Sequence, residues 1–398
     1  MGAFPAWVIG IPGERVLSEF ASMTVAILLL IAGGGLLLVG AEALVRGASK
    51  LAALLGISPL IIGLTIVAYG TSAPEMAVSV QSSLAGQGDI ALGNVIGSNI
   101  FNVLVILGLS SLLAPLPVAQ QLIKLDVPIM VGISVLLLFF SFDHLLQPSD
   151  GVILFIGGII YTLFLIYQSR KETNAEVQSE YDREYGPTPV GRTTWITNLT
   201  LMGVGLVALV VGSRMFVTGA VSIAQALGVS QLVIGLTIVA AGTSLPELAT
   251  SAVATFRGER DIAVGNVVGS NIFNILSVLG VTAVASGVGI SIPNSVLYFD
   301  LPVMVAVALA CLPIFLTGNV ISRWEGVLFS GYYVAYVAYL ILRAADHDQL
   351  GLFSQVMLLF VMPLTVVTLV LVVLKSRPQQ RKATAEPGAS VPSDPHSR

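Results

Sequence analysis

Charge is scarce in this chain, with 18 basic and 22 acidic side chains among 398 residues, or 10%. Soluble globular chains carry roughly a quarter. A fold bathed in water on every side is therefore excluded. Cysteine is nearly absent: Cys311 stands alone in an apolar run, so no intramolecular disulfide can form, and it reads as a small buried hydrophobe. Excess basic charge is missing too, and a net charge of −4 gives nucleic acid no electrostatic foothold. The chain lacks a GxxxxGK[ST] phosphate loop and any soluble stretch large enough to house one, so nothing in it calls for ATP.

What remains is apolar. Hydrophobic residues make up 55% of the chain, and the mean hydropathy is +0.92. Runs such as Met23–Val39 and Val356–Leu374 approach or reach the roughly 20 residues that a membrane-spanning helix needs. Hydrophobic runs between polar breaks predict helices over 23–45, 58–84, 90–113, 125–142 and 150–168, then over 198–226, 230–256, 262–285, 297–317 and 322–342, with an eleventh over 353–374.

The expected organisation has six parts. Residues 1–22 are a polar lead-in whose Glu14 and Glu19 suit a secretory leader poorly, and 23–168 form a first five-helix unit. An acidic cytoplasmic linker over 169–197 joins it to a second unit over 198–342, followed by an extra helix within 343–375 and a disordered tail over 376–398. Lys and Arg concentrate in alternate loops, at Arg46, Lys50, Lys124, Arg170, Lys171, Arg257, Arg260 and Arg323, and in the tail; Arg15 and Arg343 are the exceptions. Cytoplasmic enrichment of basic residues predicts an N-terminus outside and a C-terminus inside the cell membrane.

The two units are copies. Ile57–Gly108 aligns with Val229–Gly280 without a gap at an offset of 172, pairing LIIGLTIVAYGTSAPEMAVS with LVIGLTIVAAGTSLPELATS and DIALGNVIGSNIFNVL with DIAVGNVVGSNIFNIL. Apolar composition alone would not reproduce the Thr, Ser, Pro, Glu and Asn positions. An odd number of spans per unit turns the second copy over, giving inverted repeats with a site near the bilayer midplane. The fold class expected is an all-α membrane protein, two inverted five-helix repeats plus one additional C-terminal transmembrane helix.

Two carboxylates, Glu75 and Glu247, occupy equivalent positions inside apolar spans. A charge at helix centre costs about 2.5–3.5 kcal/mol on insertion scales, and no Lys or Arg lies at matching depth in both copies to offset it. A structural ion pair or a protonated Glu is the bland reading; a bound cation is the better one. Thr71 and Ser72 precede Glu75 by four and three residues, placing them on its helix face, and Thr243 and Ser244 do the same for Glu247. Pro74 and Pro246 cannot donate a backbone bond, so carbonyls in this region, including those of Ala68 and Ala240, are expected to be free to turn toward a cation. Ser98 and Asn102 share a helix face, as do Ser270 and Asn274, and offer further neutral oxygens. Asn94, Asn99 and their twins fit interhelical hydrogen bonding at least as well as ligation. Gly93 and Gly97 form a small-xxx-small face for close helix approach. A donor set of carboxylate, hydroxyl, amide and carbonyl, with no Cys or His, suits Ca2+ or Na+, with Mg2+ second.

With GTSAPE and GTSLPE each followed by GN-x3-SN-x2-N, the sequence resembles the Ca2+/cation antiporter superfamily, and within it the prokaryotic sodium/calcium exchanger branch. The resemblance covers about 23–342 and stops before the eleventh helix. It implies an antiporter, not an enzyme, that needs no cofactor and exchanges Ca2+ for Na+ across the lipid bilayer, its two repeats lining a central site opened to each side in turn by sliding of the first and sixth helices. The ligands it implies are Ala68, Thr71, Ser72, Glu75, Ser98 and Asn102, with Ala240, Thr243, Ser244, Glu247, Ser270 and Asn274. Several family members carry Asp where this chain has Asn274, which removes a third negative charge and bears on sodium stoichiometry. Proton exchangers of the superfamily carry a GNxxE-type motif around the glutamate, so the GTSxPE form favours sodium. A Ca2+/H+ exchanger using the same Glu pair, and a cation channel, are the competing readings. Glu42 and Arg214, equivalent positions of opposite sign, offer an interhelical pair, a charged access path or a merely interfacial role as charges that snorkel from helix ends, and are left outside the site.

Overall fold

The structure, a computed structural model, describes residues 12–171, 192–229, 231–316, 318–368 and 370. Most of the expected linker and all of the expected disordered tail lie outside the described residues. The first unit comprises α1 Pro12–Leu55, α2 Pro59–Thr71, α3 Ala73–Leu84, α4 Gly88–Leu113, α5 Leu122–Phe140 and α6 Pro148–Lys171. The second comprises α7 Arg192–Ala226, α8 (residues 231–242), α9 Leu245–Phe256, α10 Arg260–Ala285, α11 Val296–Leu316 and α12 Arg323–Ala344. The additional helix, α13, spans Leu350–Thr368. Among the described residues nine helices are long and apolar enough to cross a membrane, and the bent pair α2–α3 makes a tenth. Residues 12–22, read from sequence as part of a lead-in, instead continue the first helix.

Local chemistry sets the breaks. Gly56 at φ +64 ends α1, and Ile57 N–H reaches back to Ala52 O at 3.1 Å; Gly228 at φ +77 ends α7, with Val229 N–H on Ala224 O at 3.0 Å. Both are left-handed glycine stops that satisfy terminal carbonyls. Two short antiparallel strand pairs tie the loops of the two units together: β1 Leu116–Pro117 pairs with β4 Val320–Ile321, and β2 Leu145–Leu146 with β3 Ile290–Ser291. Exchanging the units maps one strap onto the other, as inverted symmetry requires. Buried Asp126 accepts from Tyr161 at 2.9 Å, and Asp300 from Tyr336 at the same distance, repeating the exchange.

The twin helices α1 and α7 pack antiparallel, backbone against backbone. A Cβ on Gly40 would stand 2.8 Å from Gly205 O, and one on Gly205 would stand 2.8 Å from Gly40 O. The large interface between α4, α5, α6, α10, α11 and α12 forms the main apolar core, while α1 and α7 build a second cluster against α2 and α9. The additional helix meets α12 where Tyr332 OH donates to Thr365 Oγ1 at 2.7 Å. A cleft of about 700 Å³, lined by residues such as Tyr298, Phe299, Tyr336, Phe353 and Met357, lies between it and the pair α11 and α12.

The glycine contact is testable. Gly40→Val is expected to destabilise the fold by about 1–3 kcal/mol, the usual cost of overpacking, read as a lowered melting temperature of the purified protein. Gly35→Val, where an added Cβ meets nothing within 4 Å, is expected to leave it unchanged.

Candidate functional site

The second span breaks where the sequence predicts. Pro74 has no N–H to give and sits in the first turn of α3, and Ser72 leaves helical geometry at φ −82, ψ 7. The two halves meet at 42°. The twin break at Ser244 has φ −88, ψ 6, with Pro246 in the first turn of α9. Each glutamate thus falls in the first turn of a half-helix, where the unsatisfied N–H groups and the helix dipole favour a negative charge. The preceding half-helices, α2 and α8, end with their carbonyl poles at the same place, which favours a cation. Asn102 and Asn274 each open a π-helical stretch, over Asn102–Leu107 and Asn274–Leu279, a distortion found mostly at functional positions.

Glu75 and Glu247 are both fully buried, and the breaks turn their neighbours across the molecule. Ser72 Oγ donates not to Glu75 but to Glu247 Oε1 at 2.9 Å, and Ser244 Oγ donates to Glu75 Oε1 at 3.2 Å. Thr71 Oγ1 donates to Asn266 Oδ1 at 3.1 Å, and Thr243 Oγ1 to Asn94 Oδ1 at 3.0 Å. The expectation that each hydroxyl works on the helix face of its own glutamate is corrected here. It holds for a continuous helix and fails once the helix breaks between hydroxyl and acid.

Asn94 and Asn266 make the interhelical hydrogen bonds expected as one of their two readings, with partners the sequence did not name. Asn94 Nδ2 donates to Glu75 O at 3.3 Å and Ser79 Oγ at 3.0 Å, and Asn266 Nδ2 to Glu247 O at 3.4 Å and Ser251 Oγ at 3.0 Å. Each asparagine thereby fastens its own half-helix and accepts a hydroxyl from the other repeat. The remaining amides form a second lattice. Asn102 Nδ2 donates to Asn271 Oδ1 at 3.0 Å, and Asn274 Nδ2 to Asn99 Oδ1 at 3.1 Å; Asn99 and Asn271 donate to each other's backbone carbonyls at 3.3 and 3.4 Å. The repetition of GN-x3-SN-x2-N was the only sequence signal for these bonds, and it names the residues without naming their partners.

Those donors leave a symmetric remainder. Glu75 Oε2, Ser98 Oγ and Asn102 Oδ1, with Glu247 Oε2, Ser270 Oγ and Asn274 Oδ1, are buried oxygens with no hydrogen-bond partner. Native proteins pair nearly all buried polar atoms, so six such oxygens on six of the sequence-predicted residues call for a ligand. The carbonyl of Ala68 is a correction: it accepts Ser72 N–H at 3.0 Å and Thr71 Oγ1 at 3.4 Å and is not freed by the break. The carbonyl that Pro246 cannot serve, on Gly242, takes Ser213 Oγ at 2.6 Å. Residue 41 is the twin of Ser213 and is Ala, so Gly70 has no matching hydroxyl.

The two ends of the site differ. Gly265 and Gly269 meet α2 so closely that an added Cβ would lie 2.9 Å from Leu60 O and 2.6 Å from Leu64 O respectively. Gly93 and Gly97, expected to form the same face, meet nothing within 4 Å, because α8 stands away from α4 along most of its length. Val67 is fully buried, whereas its twin Val239 is 50% exposed. Ala68 is buried and Ala240 exposed. Likewise α1 packs along α9, while the symmetric pair α7 and α3 barely touch. One side of the site is sealed and the other open.

Comparison with known proteins identifies the family. The family of sodium/calcium exchanger proteins matches residues 25–169 and 197–342. The sodium/calcium exchanger MaX1 of Methanosarcina acetivorans is 34% identical over 348 residues, 80% of this chain and 99% of that protein. Inner membrane protein YrbG of Escherichia coli is 41% identical over 261 residues, 66% of this chain and 80% of that protein. The solved structure of the sodium/calcium exchanger from Methanococcus jannaschii superposes with a TM-score of 0.68 at 31% identity, covering 79% of this chain and 98% of that one. With the doubled motif and the buried acid pair, the chain belongs to the sodium/calcium exchanger protein family and is an integral membrane cation antiporter.

Proposed function

We propose that the chain exchanges Ca2+ for Na+ by alternating access, with the cation held between Glu75 and Glu247. The observation that carries this reading is the set of six partnerless buried oxygens, three from each repeat. Two carboxylates match the charge of one Ca2+. Ser98, Asn102, Ser270 and Asn274 supply neutral oxygens, within the six to eight that Ca2+ takes. Thr71, Thr243 and the carbonyl of Ala240 complete the proposed donor set; the carbonyl of Ala68, which already accepts two hydrogen bonds, is left out. Ser72 and Ser244 brace the acids. Sodium ions compete for the same oxygens, so either cargo neutralises the acids, and crossing with an empty, charged site is opposed.

Orientation follows from charge. Arg46, Lys50, Arg257 and Arg260 all flank the sealed side, and basic residues favour the cytoplasm. On this reading the site opens outward and the N-terminus lies outside. The GTSxPE form of both motifs supports sodium as the counter-ion.

Two outcomes are expected. In reconstituted vesicles, an imposed sodium gradient drives Ca2+ uptake; uptake driven equally by a pH step, or without a gradient, rejects sodium coupling. Glu75→Gln and Glu247→Gln each lower that flux more than about 100-fold, as loss of a charged ligand worth about 3 kcal/mol would. A third measurement separates ligation from folding. Ser98 Oγ has no protein partner to lose, so Ser98→Ala leaves the melting temperature unchanged while raising the Ca2+ concentration for half-maximal flux about ten-fold.

A further inference from the structure

The offset of 172 that relates the motifs also holds for α1 and α7: Gly33, Gly40 and Gly47 fall on Gly205, Gly212 and Gly219 without a gap. Inverted repeats impose a rule on such a molecule. If the two access states are related by exchanging the units, every contact between units in one state maps onto the twin contact in the other. Wherever the twin residues differ in chemistry, the two states differ in energy.

The sealed side carries one such difference. Glu42 of α1 forms ion pairs with Arg46, one turn along its own helix, and with Arg257, the residue that caps α9. Arg257 also donates through Nε to the same carboxylate. The pair is half-buried, with side-chain exposures of 35% for Arg257 and 30% for Glu42, and it bridges α1 to the half-helix that bears Glu247. The twin of Glu42 is Arg214, and the twin of Arg257 is Ala85. Ala85 caps α3 with the same backbone angles, φ −81 and ψ 2 against φ −82 and ψ −2 at Arg257, so the backbone is conserved and only the ion pair is missing. When the open side closes and α7 approaches α3, a guanidinium meets a methyl group.

We propose that Glu42 and Arg257 form a latch across the sealed side, and that its absence at Arg214 and Ala85 biases the transport cycle toward the state seen here. The inference rests on alternating access as proposed above, and on nothing about which ion is carried. A pair of opposite charges shared by α1 and α9 stabilises only the conformation that brings them together. It resists opening of the Arg257 side while adding nothing to closure of the other side. Arg214, exposed on α7, has no acidic partner among the described residues, so the mirror latch lacks only one carboxylate.

The test reads access directly. Val67→Cys and Val239→Cys, twin positions that are now sealed and open, are introduced singly and labelled with a polar maleimide in nanodiscs, where both faces are reachable. Cys311, fully buried, gives little background. Arg257→Gln is expected to raise labelling at position 67 and lower it at 239, changing their ratio by about two- to five-fold, the effect available to a half-exposed ion pair. Ala85→Glu, at an exposed position, supplies the missing acid to Arg214 and is expected to move the ratio the same way. An unchanged ratio in both variants, or a shift in the reverse direction in either, overturns the latch. Labelling requires no ion movement, so a chain that shows the shift but takes up no Ca2+ under a sodium gradient keeps the latch and loses the sodium reading. A chain that takes up Ca2+ without the shift does the opposite.

Discussion

Everything in this fold answers to two fully buried carboxylates facing each other across a repeat boundary. A carboxylate in the membrane interior must be matched by donors, by dipoles or by a cation. Three devices do so at once. The broken helices aim a positive pole at each acid, and a serine of the opposite repeat donates to one of its oxygens. The other oxygen is left without a partner. Full satisfaction by protein groups would make the acids inert, and no satisfaction would make the fold too costly. Half-satisfaction keeps the site assembled and still in need of a cation. The crossed direction of the serine bonds adds that neither repeat can complete its own acid, so the site exists only while the two halves are docked.

The amides make this arrangement rigid. A carboxamide offers donors and an acceptor from one planar group, so it can fix two elements and still present an oxygen. Asn94 and Asn266 use both ends within the protein. Asn102 and Asn274 use only their nitrogens, and their oxygens join the partnerless set. The same residue type thus serves as brace and as candidate ligand within one helix. The division follows position along the helix: Asn94 sits beside the glutamate backbone, Asn102 where the helix widens into a π turn.

Much of this was legible in the residue pattern. The doubling, the inversion from an odd helix count, and the two acids beside hydroxyl and amide oxygens all follow from the 172-residue offset. What escaped had physical causes. Spacing of three and four residues implies a shared face only while a helix is continuous, so the breaks at Ser72 and Ser244 redirected the hydroxyls across the repeat boundary. Proline removes a donor but does not say which carbonyl goes hungry; Ala68 kept its backbone bond, and Gly242 found Ser213. The length of α1 escaped because polar residues such as Glu14 and Glu19 break a hydropathy run without breaking a helix.

Least legible was the difference between Gly93-Gly97 and Gly265-Gly269. Their sequences are nearly the same and their surroundings are opposite. Sequence identity within inverted repeats cannot encode asymmetry; it encodes a pair of states of similar energy, of which a single structure displays one. The closely matched motif residues therefore report on the ion and on the two-sidedness of the path. Positions where the twins diverge report on which side is preferred. Ala41 against Ser213, Glu42 against Arg214 and Ala85 against Arg257 lie outside the six oxygens of the proposed site, on the helices that pack differently at its two ends. In a molecule built by duplication, the departures from the repeat carry information that the repeat itself cannot hold.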